Sequence, residues 1–251
     1  VLDPAILERP LETYISEDPY PIPEIGMREG SHGERHFDYW QSGLYDYLMM
    51  KTSVGQLESP VLEFGSSSCR VLRHLLCHEQ GLELHAADIN PSSIGWLASN
   101  IPQIRGVVNQ TAPPLPYPDG YFSLACAFSV FTHIADHEVK WLAEMHRILK
   151  PGGKAYFSVV TDYTWENIDH SWAVYQDFMK AKPMYHGNRF EADTFDQPMP
   201  LSKVVFQYGP KTDGYGVVVF HKTDYIREVW GKAFKILDIK RKFFGYQDVV
   251  V

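Results

Sequence analysis

The run Val61-Leu-Glu-Phe-Gly-Ser-Ser-Ser-Cys-Arg70 constrains this chain more than any other segment. A short apolar stretch ends in an acid, a glycine and small residues, and helix-compatible sequence follows. A second apolar run ends in Ala86-Ala-Asp-Ile-Asn90. Short apolar runs alternating with helical segments indicate parallel strands joined by crossover helices. In such a sheet, a tight turn after the first strand and a carboxylate at the tip of the second build a nucleoside pocket, and the carboxylate takes the ribose hydroxyls. Asp88 follows the turn by roughly 20 residues, the offset expected of that carboxylate. Dinucleotide turns use glycines so that backbone amides can approach a pyrophosphate. Here Ser67 and Cys69 stand at the later glycine positions, and Glu63 comes just before the turn. A carboxylate there repels phosphate and suits a cationic, amino-bearing ligand.

The alternation continues along the chain. Strand 61–64 leads to a helix over 68–79, then strand 83–87 and a helix over 91–100 with Asn90 as its N-cap and Pro91 in its first position. Strand 104–108 precedes a proline-rich loop, Asn109 to Gly120. Strand 121–127, a helix over 136–149 stopped by Pro151-Gly-Gly153, and strand 154–160 follow. Upstream, residues 1–35 read as an irregular arm. His36 to Lys51 has helical spacing, with Phe37, Trp40, Leu44, Tyr47 and Leu48 on one side. Downstream, 161–220 carries Trp165, Trp172, Tyr175, Tyr185, Phe190 and Phe195. It ends in two β-like runs, Lys203–Tyr208 and Gly216–Phe220, around the hairpin-type connection Gly209–Gly214. Thr223–Ala233 reads as a helix, and Phe234–Ile239 and Gln247–Val251 as strands. The expected organisation is an arm and helix that can act as a lid (1–59), a cofactor-binding core (60–160), an acceptor-site insertion or lid (161–220) and a C-terminal helix with a strand hairpin (221–251).

VLEFGSSSCR, ADIN, PPLPYPDGYFSLACAFSVFTHI and ILKPGGKAYFSV together resemble the class I S-adenosylmethionine-dependent methyltransferases. The likeness runs from about Pro60 to Val160 and resumes more weakly from about Phe220. It implies a Rossmann-like α/β fold: a mostly parallel seven-stranded sheet with an antiparallel last strand, helices on both faces, and here an aromatic-rich insertion after strand five. Family turns usually read Asp/Glu-x-Gly-x-Gly-x-Gly, so Ser67 and Cys69 are departures. A left-handed backbone at a serine costs on the order of 1 kcal/mol.

The resemblance also assigns roles. Glu63 sits near the methionine amino group, Gly65 and Ser66 give backbone room, and Ser67 and Cys69 line the turn by backbone. Asp88 takes the ribose, Ile89 offers an apolar face to adenine, and Asn109 or Gln110 meets the adenine amino edge. Phe128 and Ser129 pass close to the sulfonium. His133, in Phe131-Thr-His-Ile134, is the candidate catalytic base, with a purely structural histidine as the competing reading. His170, Tyr185, His186 and His221 are further candidates. S-adenosylmethionine is the expected cofactor and S-adenosylhomocysteine its product. The expected acceptor is a small molecule methylated on oxygen, a sugar, polyketide or other natural product. A non-catalytic cofactor-binding module is the alternative, motivated by Ser67 and Cys69. A nicotinamide dehydrogenase fits least, because the glycine fingerprint is absent.

Composition limits the partners. A net charge of −8 over 251 residues argues against nucleic acid or an anionic membrane as main partner, since phosphate contacts need clustered Lys and Arg. No apolar run has the length of a membrane span. Three cysteines without metal-site or disulfide spacing read as reduced thiols in a cytoplasmic protein, and no metal is expected. The sequence leaves the oligomeric state open.

Overall fold

A computed structural model describes residues 4–28, 35–208 and 216–251. The connection Gly209–Gly214 and part of the N-terminal arm lie outside the described residues. The chain forms two compact units. The first draws on Val1–Gln110, Leu115–Ala127 and Arg147–Tyr156, and the second on Thr111–Pro114, Phe128–His146 and Phe157–Val251.

In the first unit, α1 (Leu11–Glu17) and α2 (His36–Val54) precede the alternation β1 (Val61–Phe64), α3 (Leu72–His78), β2 (Leu84–Asp88), α4 (Pro91–Asn100), β3 (Arg105–Val108) and β4 (Phe122–Ala127). The strands lie in the order β3-β2-β1-β4, and β1 pairs in parallel with both β2 and β4. A strand with neighbours on both edges and packed faces is apolar throughout. All four residues of β1 are buried, and Glu63 is the one that breaks the rule. Helix α4 starts where its signals place it: Asn90 Oδ1 accepts from the Ser92 amide at 2.9 Å, with Pro91 in the first turn. The helix expected from residue 68 begins only at Leu72, because the residues before it form the turn described below.

Helix α2 buries Trp40, Leu44, Tyr47 and Leu48, whereas Phe37 stays exposed and stacks on Trp40. Its Gly43 lies against the turn: a Cβ there would sit 2.1 Å from the Arg70 carbonyl oxygen. The arm expected to be irregular contains α1 and is anchored just after it at Asp18. That carboxylate accepts two bonds from Arg73, at 2.7 and 2.9 Å, and one from Trp40 Nε1 at 2.7 Å.

The strand β5 (Leu149–Thr161) begins in the first unit and ends in the second. The second unit adds α5 (Glu138–Ile148), α6 (Asp162–Glu166), α7 (Ala173–Ala181), the short β6 (Met184–Tyr185) and β7 (Asn188–Arg189), β8 (Lys203–Gln207), β9 (Val217–His221), α8 (Thr223–Val229), β10 (Ile239–Phe244) and β11 (Gln247–Val250). The end of β5 pairs in parallel with β9 and antiparallel with β11. Strands β8 and β9 form the antiparallel pair expected around 203–220. Eleven strands are present among the described residues, β6 to β9 of them within 184–221. The mostly parallel α/β sheet is as expected.

Two expectations need correction. Phe234–Ile239 is not a strand: the Ala233 and Phe234 amides both bond to the Trp230 carbonyl in a turn, and pairing starts at Ile239, opposite Val250. The aromatic insertion, expected to face an acceptor, spends most of its rings on its own core. Trp165, Phe178, Phe190, Phe195, Phe206 and Phe220 are buried against one another. Their spacing shows no helical or strand period because they come from separate short elements.

Candidate active site

The turn after β1 has the shape that glycines give in other sequences, made here with side chains present. Gly65, Ser67 and Cys69 all adopt positive φ, at 72°, 47° and 59°. The strain at two L-residues persists only where surrounding bonds over-determine the backbone. Those bonds are visible. Gly65 N and Ser66 N both donate to the Ala87 carbonyl at the tip of β2, at 2.7 and 3.2 Å, and Ser67 N donates to Asp88 Oδ2 at 2.7 Å.

Glu63 is buried with 3% exposure, and its Oε2 accepts from the Leu72 amide at 3.2 Å. Burial pushes its pKa up to about 8, against the pull of Arg70. Arg70 is itself committed to an ion pair with buried Asp46 on α2. Burial raises the Asp46 pKa in spite of that partner. An unmatched buried carboxylate is costly, and in a central strand no packing requirement explains it.

Asp88 is also buried, its Oδ1 accepting from the Asn90 amide at 2.7 Å while Oδ2 holds Ser67 N. A carboxylate offers about four lone-pair sites, so these two amides do not exhaust its capacity to accept. Ile89 follows at the strand end, half-buried. Asn109 is buried, its amide bonded to the Asp88 carbonyl and its Nδ2 to the Gln110 carbonyl, while Gln110 is exposed. Asn109 Oδ1 and Ser67 Oγ are buried without a hydrogen-bond partner among the described residues. A buried orphan acceptor costs on the order of 1–3 kcal/mol and fits a ligand that brings a donor. Cys69 is fully buried, and burial holds its thiol well above the usual range, so it is packed rather than reactive.

The first unit thus brings together Glu63, Gly65, Ser66, Ser67, Cys69, Asp88, Ile89, Asn109 and Gln110 at the ends of β1, β2 and β3. Phe128, Ser129 and His133 belong to the second unit. Phe128 is buried, its ring 5.7 Å from Phe244. Ser129 is left-handed, with φ 58°. His133 Nδ1 lies 2.7 Å from the Val217 carbonyl of β9. A carbonyl only accepts, so Nδ1 carries a proton in this bond. Of the other candidates, His170 is exposed and stacked on Tyr175, and His186 occupies the exposed turn between β6 and β7. Tyr185 packs on Phe206.

His221 is fully buried, and its Nε2 approaches Glu138 Oε1 at 3.1 Å without hydrogen-bond alignment. Glu138 is held instead by Trp230 Nε1 at 2.6 Å and Lys203 Nζ at 2.7 Å. That cluster joins α5 to β8, β9 and the segment after α8, and reads as structural. Among the described residues no group of three or more His, Cys, Asp or Glu is placed to hold a metal ion, and no helix is long and apolar enough to cross a membrane.

Among known families, residues 62–157 match the methyltransferase domain. No protein of curated function matches the chain. Among solved structures, a glycopeptide N-methyltransferase, MtfA, complexed with S-adenosyl-L-methionine, superposes with a TM-score of 0.54 at 16% identity, over 83% of this chain and 92% of that one. The 1,6-didemethyltoxoflavin N1-methyltransferase of Burkholderia thailandensis, with bound 1,6-didemethyltoxoflavin and S-adenosylhomocysteine, gives 0.53 at 17% identity over 85% and 79%. An S-adenosylmethionine-dependent methyltransferase from Methanosarcina mazei gives 0.53 at 15% over 80% and 94%. At these identities the likeness shows the fold alone.

Sequence reasoning missed the partners of the site residues. Asp46 reaches Arg70 across 24 positions, and Gln247 reaches Ser129 across 118. No local pattern could have announced either contact.

Proposed function

We propose that this protein binds S-adenosylmethionine through the turn after β1 and moves its methyl group to a small-molecule acceptor. The observation that carries the reading is the buried Glu63 carboxylate beside Asp88 at neighbouring strand ends. S-adenosylmethionine supplies a methyl group activated on sulfur, with a neutral thioether as leaving group. The protein's task is then to bind, align and exclude water.

Glu63 receives the methionine ammonium, which supplies the charge that this burial lacks. Asp88 accepts from the ribose hydroxyls with lone pairs beyond those given to Ser67 and Asn90. Asn109, rather than exposed Gln110, accepts from the adenine amino group through Oδ1, and Ile89 covers the ring. His133 takes the acceptor proton on Nε2, because Nδ1 is committed to Val217. A general base of this kind contributes about a hundredfold or more for an acceptor of high pKa. We place the transfer on oxygen, in a sugar, polyketide or other natural product.

Titration calorimetry with S-adenosylmethionine tests the reading. Saturable binding that is at least tenfold weaker in Asp88→Ala is expected, and mass spectrometry of ligands retained through purification should find S-adenosylhomocysteine. No binding to the intact protein, or equal binding by Asp88→Ala, would refute it. Methylation of nitrogen rather than oxygen in the isolated product would correct the acceptor alone.

A further inference from the structure

Helix α2 grips one side chain of the turn after β1. Arg70 Nη1 donates to Asp46 Oδ2 in an ion pair and to Ser42 Oγ at 3.2 Å. The Ser42 hydroxyl gives its own proton to the Tyr39 carbonyl at 2.7 Å, so its oxygen is the acceptor for Arg70. Ser42 and Asp46 are four positions apart, on one face of the helix. Between them Gly43 leaves room for the side chain to pass, since a Cβ there would lie 3.0 Å from Arg70 Cγ. Arg70, Asp46 and Glu63 are all buried and all belong to the first unit. Glu63 accepts from the Leu72 amide, two positions after Arg70, and the Arg70 charge acts on it. One cation thus serves two buried carboxylates, and its ion pair is with Asp46. A buried ion pair often adds no stability over apolar side chains of similar size, so stability alone does not account for Asp46.

We propose that Asp46 is a positioning residue that holds Arg70 on α2 and so keeps the Glu63 carboxylate open to the ammonium group of its ligand. The proposal rests on the reading of Glu63 as the ammonium acceptor. Asp46 itself touches no part of the ligand. Without Asp46, Arg70 keeps its charge in a buried setting, which is costly until it finds another partner. It then turns to Glu63, whose carboxylate its charge already reaches, and competes with the ligand there.

The size of the effect follows from occupancy. If Arg70 takes Glu63 in about nine molecules of ten, apparent affinity for a ligand with an ammonium group falls about tenfold. A nucleoside without that group loses almost nothing.

The test is calorimetric titration of the intact protein with two ligands, with a thermal melt of each variant as control. S-adenosylhomocysteine carries the ammonium, and 5′-deoxy-5′-methylthioadenosine shares the nucleoside and the sulfur without the amino acid. Asp46→Asn is expected to bind S-adenosylhomocysteine about tenfold more weakly than the parent and methylthioadenosine within about twofold of it. The double variant Asp46→Asn/Arg70→Met, in which the competing cation is gone, should recover S-adenosylhomocysteine binding to within about twofold. Equal loss of both ligands in Asp46→Asn would overturn the proposal, because a distorted turn does not distinguish them. Parental S-adenosylhomocysteine binding by Asp46→Asn, or no recovery in the double variant, would overturn it as well. Should Asp46→Asn not fold, Arg70→Met decides: affinity for S-adenosylhomocysteine at or above the parental value supports the proposal, and a tenfold loss makes Arg70 a contact rather than a competitor and refutes it. A parent protein that binds neither ligand refutes the cofactor reading itself, and this proposal with it.

Discussion

Replacing Glu63 by glutamine should change how stability depends on pH, and the structure gives both the sign and the size. The ordinary pKa of the group is 4.5, and in the folded protein burial raises it to about 8. The groups that face it are Asp46 and Tyr39 on α2, Cys69 and Arg70 in the turn, Asp88 on β2 and Cys126 on β4. Between those two pH values the folded protein keeps a proton on Glu63 that the unfolded chain has lost. Stability therefore declines as pH rises through this window and is lowest above pH 8. At about 1.4 kcal/mol per pKa unit, the full window is worth at most about 5 kcal/mol. Glu63→Gln cannot ionise and keeps the shape. Its stability relative to the parent should grow steadily from pH 5 to pH 8, which urea unfolding at four pH values would read directly. A difference that stays constant over that range would refute the reasoning. The same variant should lose roughly ten- to a hundredfold in affinity for S-adenosylhomocysteine, the worth of a hydrogen bond to a charged group.

Three further outcomes are expected. Gly43→Ala places a methyl group 2.1 Å from the Arg70 carbonyl oxygen, so it should lower stability by about 1–3 kcal/mol and weaken cofactor binding by disturbing the turn; an unchanged melting temperature would contradict the close approach. His133→Asn keeps a donor for the Val217 carbonyl but removes Nε2, so with an identified acceptor it should cut kcat about a hundredfold at nearly parental stability, whereas full activity would return His133 to a structural role. Burial raises the Glu138 pKa, but His221 and Lys203 outweigh it and hold the group at about 2. Its contribution is present above pH 4.5 and lost as pH falls toward 2, so acid denaturation of Glu138→Gln should lack up to about 3 kcal/mol of this dependence.

The parts of this molecule written in local periodicity were legible before its structure. Four short apolar runs between helical segments placed the parallel strands, and Asn90 with Pro91 fixed the start of α4. The carboxylates Glu63 and Asp88 could be singled out because each ends or interrupts an apolar run, where a charge has no packing role. What stayed hidden depends on contacts between distant segments. The turn residues 66–71 have helix-compatible composition, yet bonds to Ala87 and Asp88 hold them out of a helix. The rings of 161–220 suggested a ligand surface, and only the packing of α6, α7, β8 and β9 reveals them as a core. Phe234 has strand-forming character that the turn at Trp230 overrides.

Asp88 carries a consequence beyond recognition. One of its oxygens is tied to the turn and the other to the start of α4, so internal bonds fix the contour of the loop. A pocket already shaped by internal bonds has little ordering entropy left to lose when its guest arrives. Association should then be quick and accompanied by small backbone shifts, and substitutions that slacken this carboxylate tether should slow the capture of cofactor as well as hasten its escape.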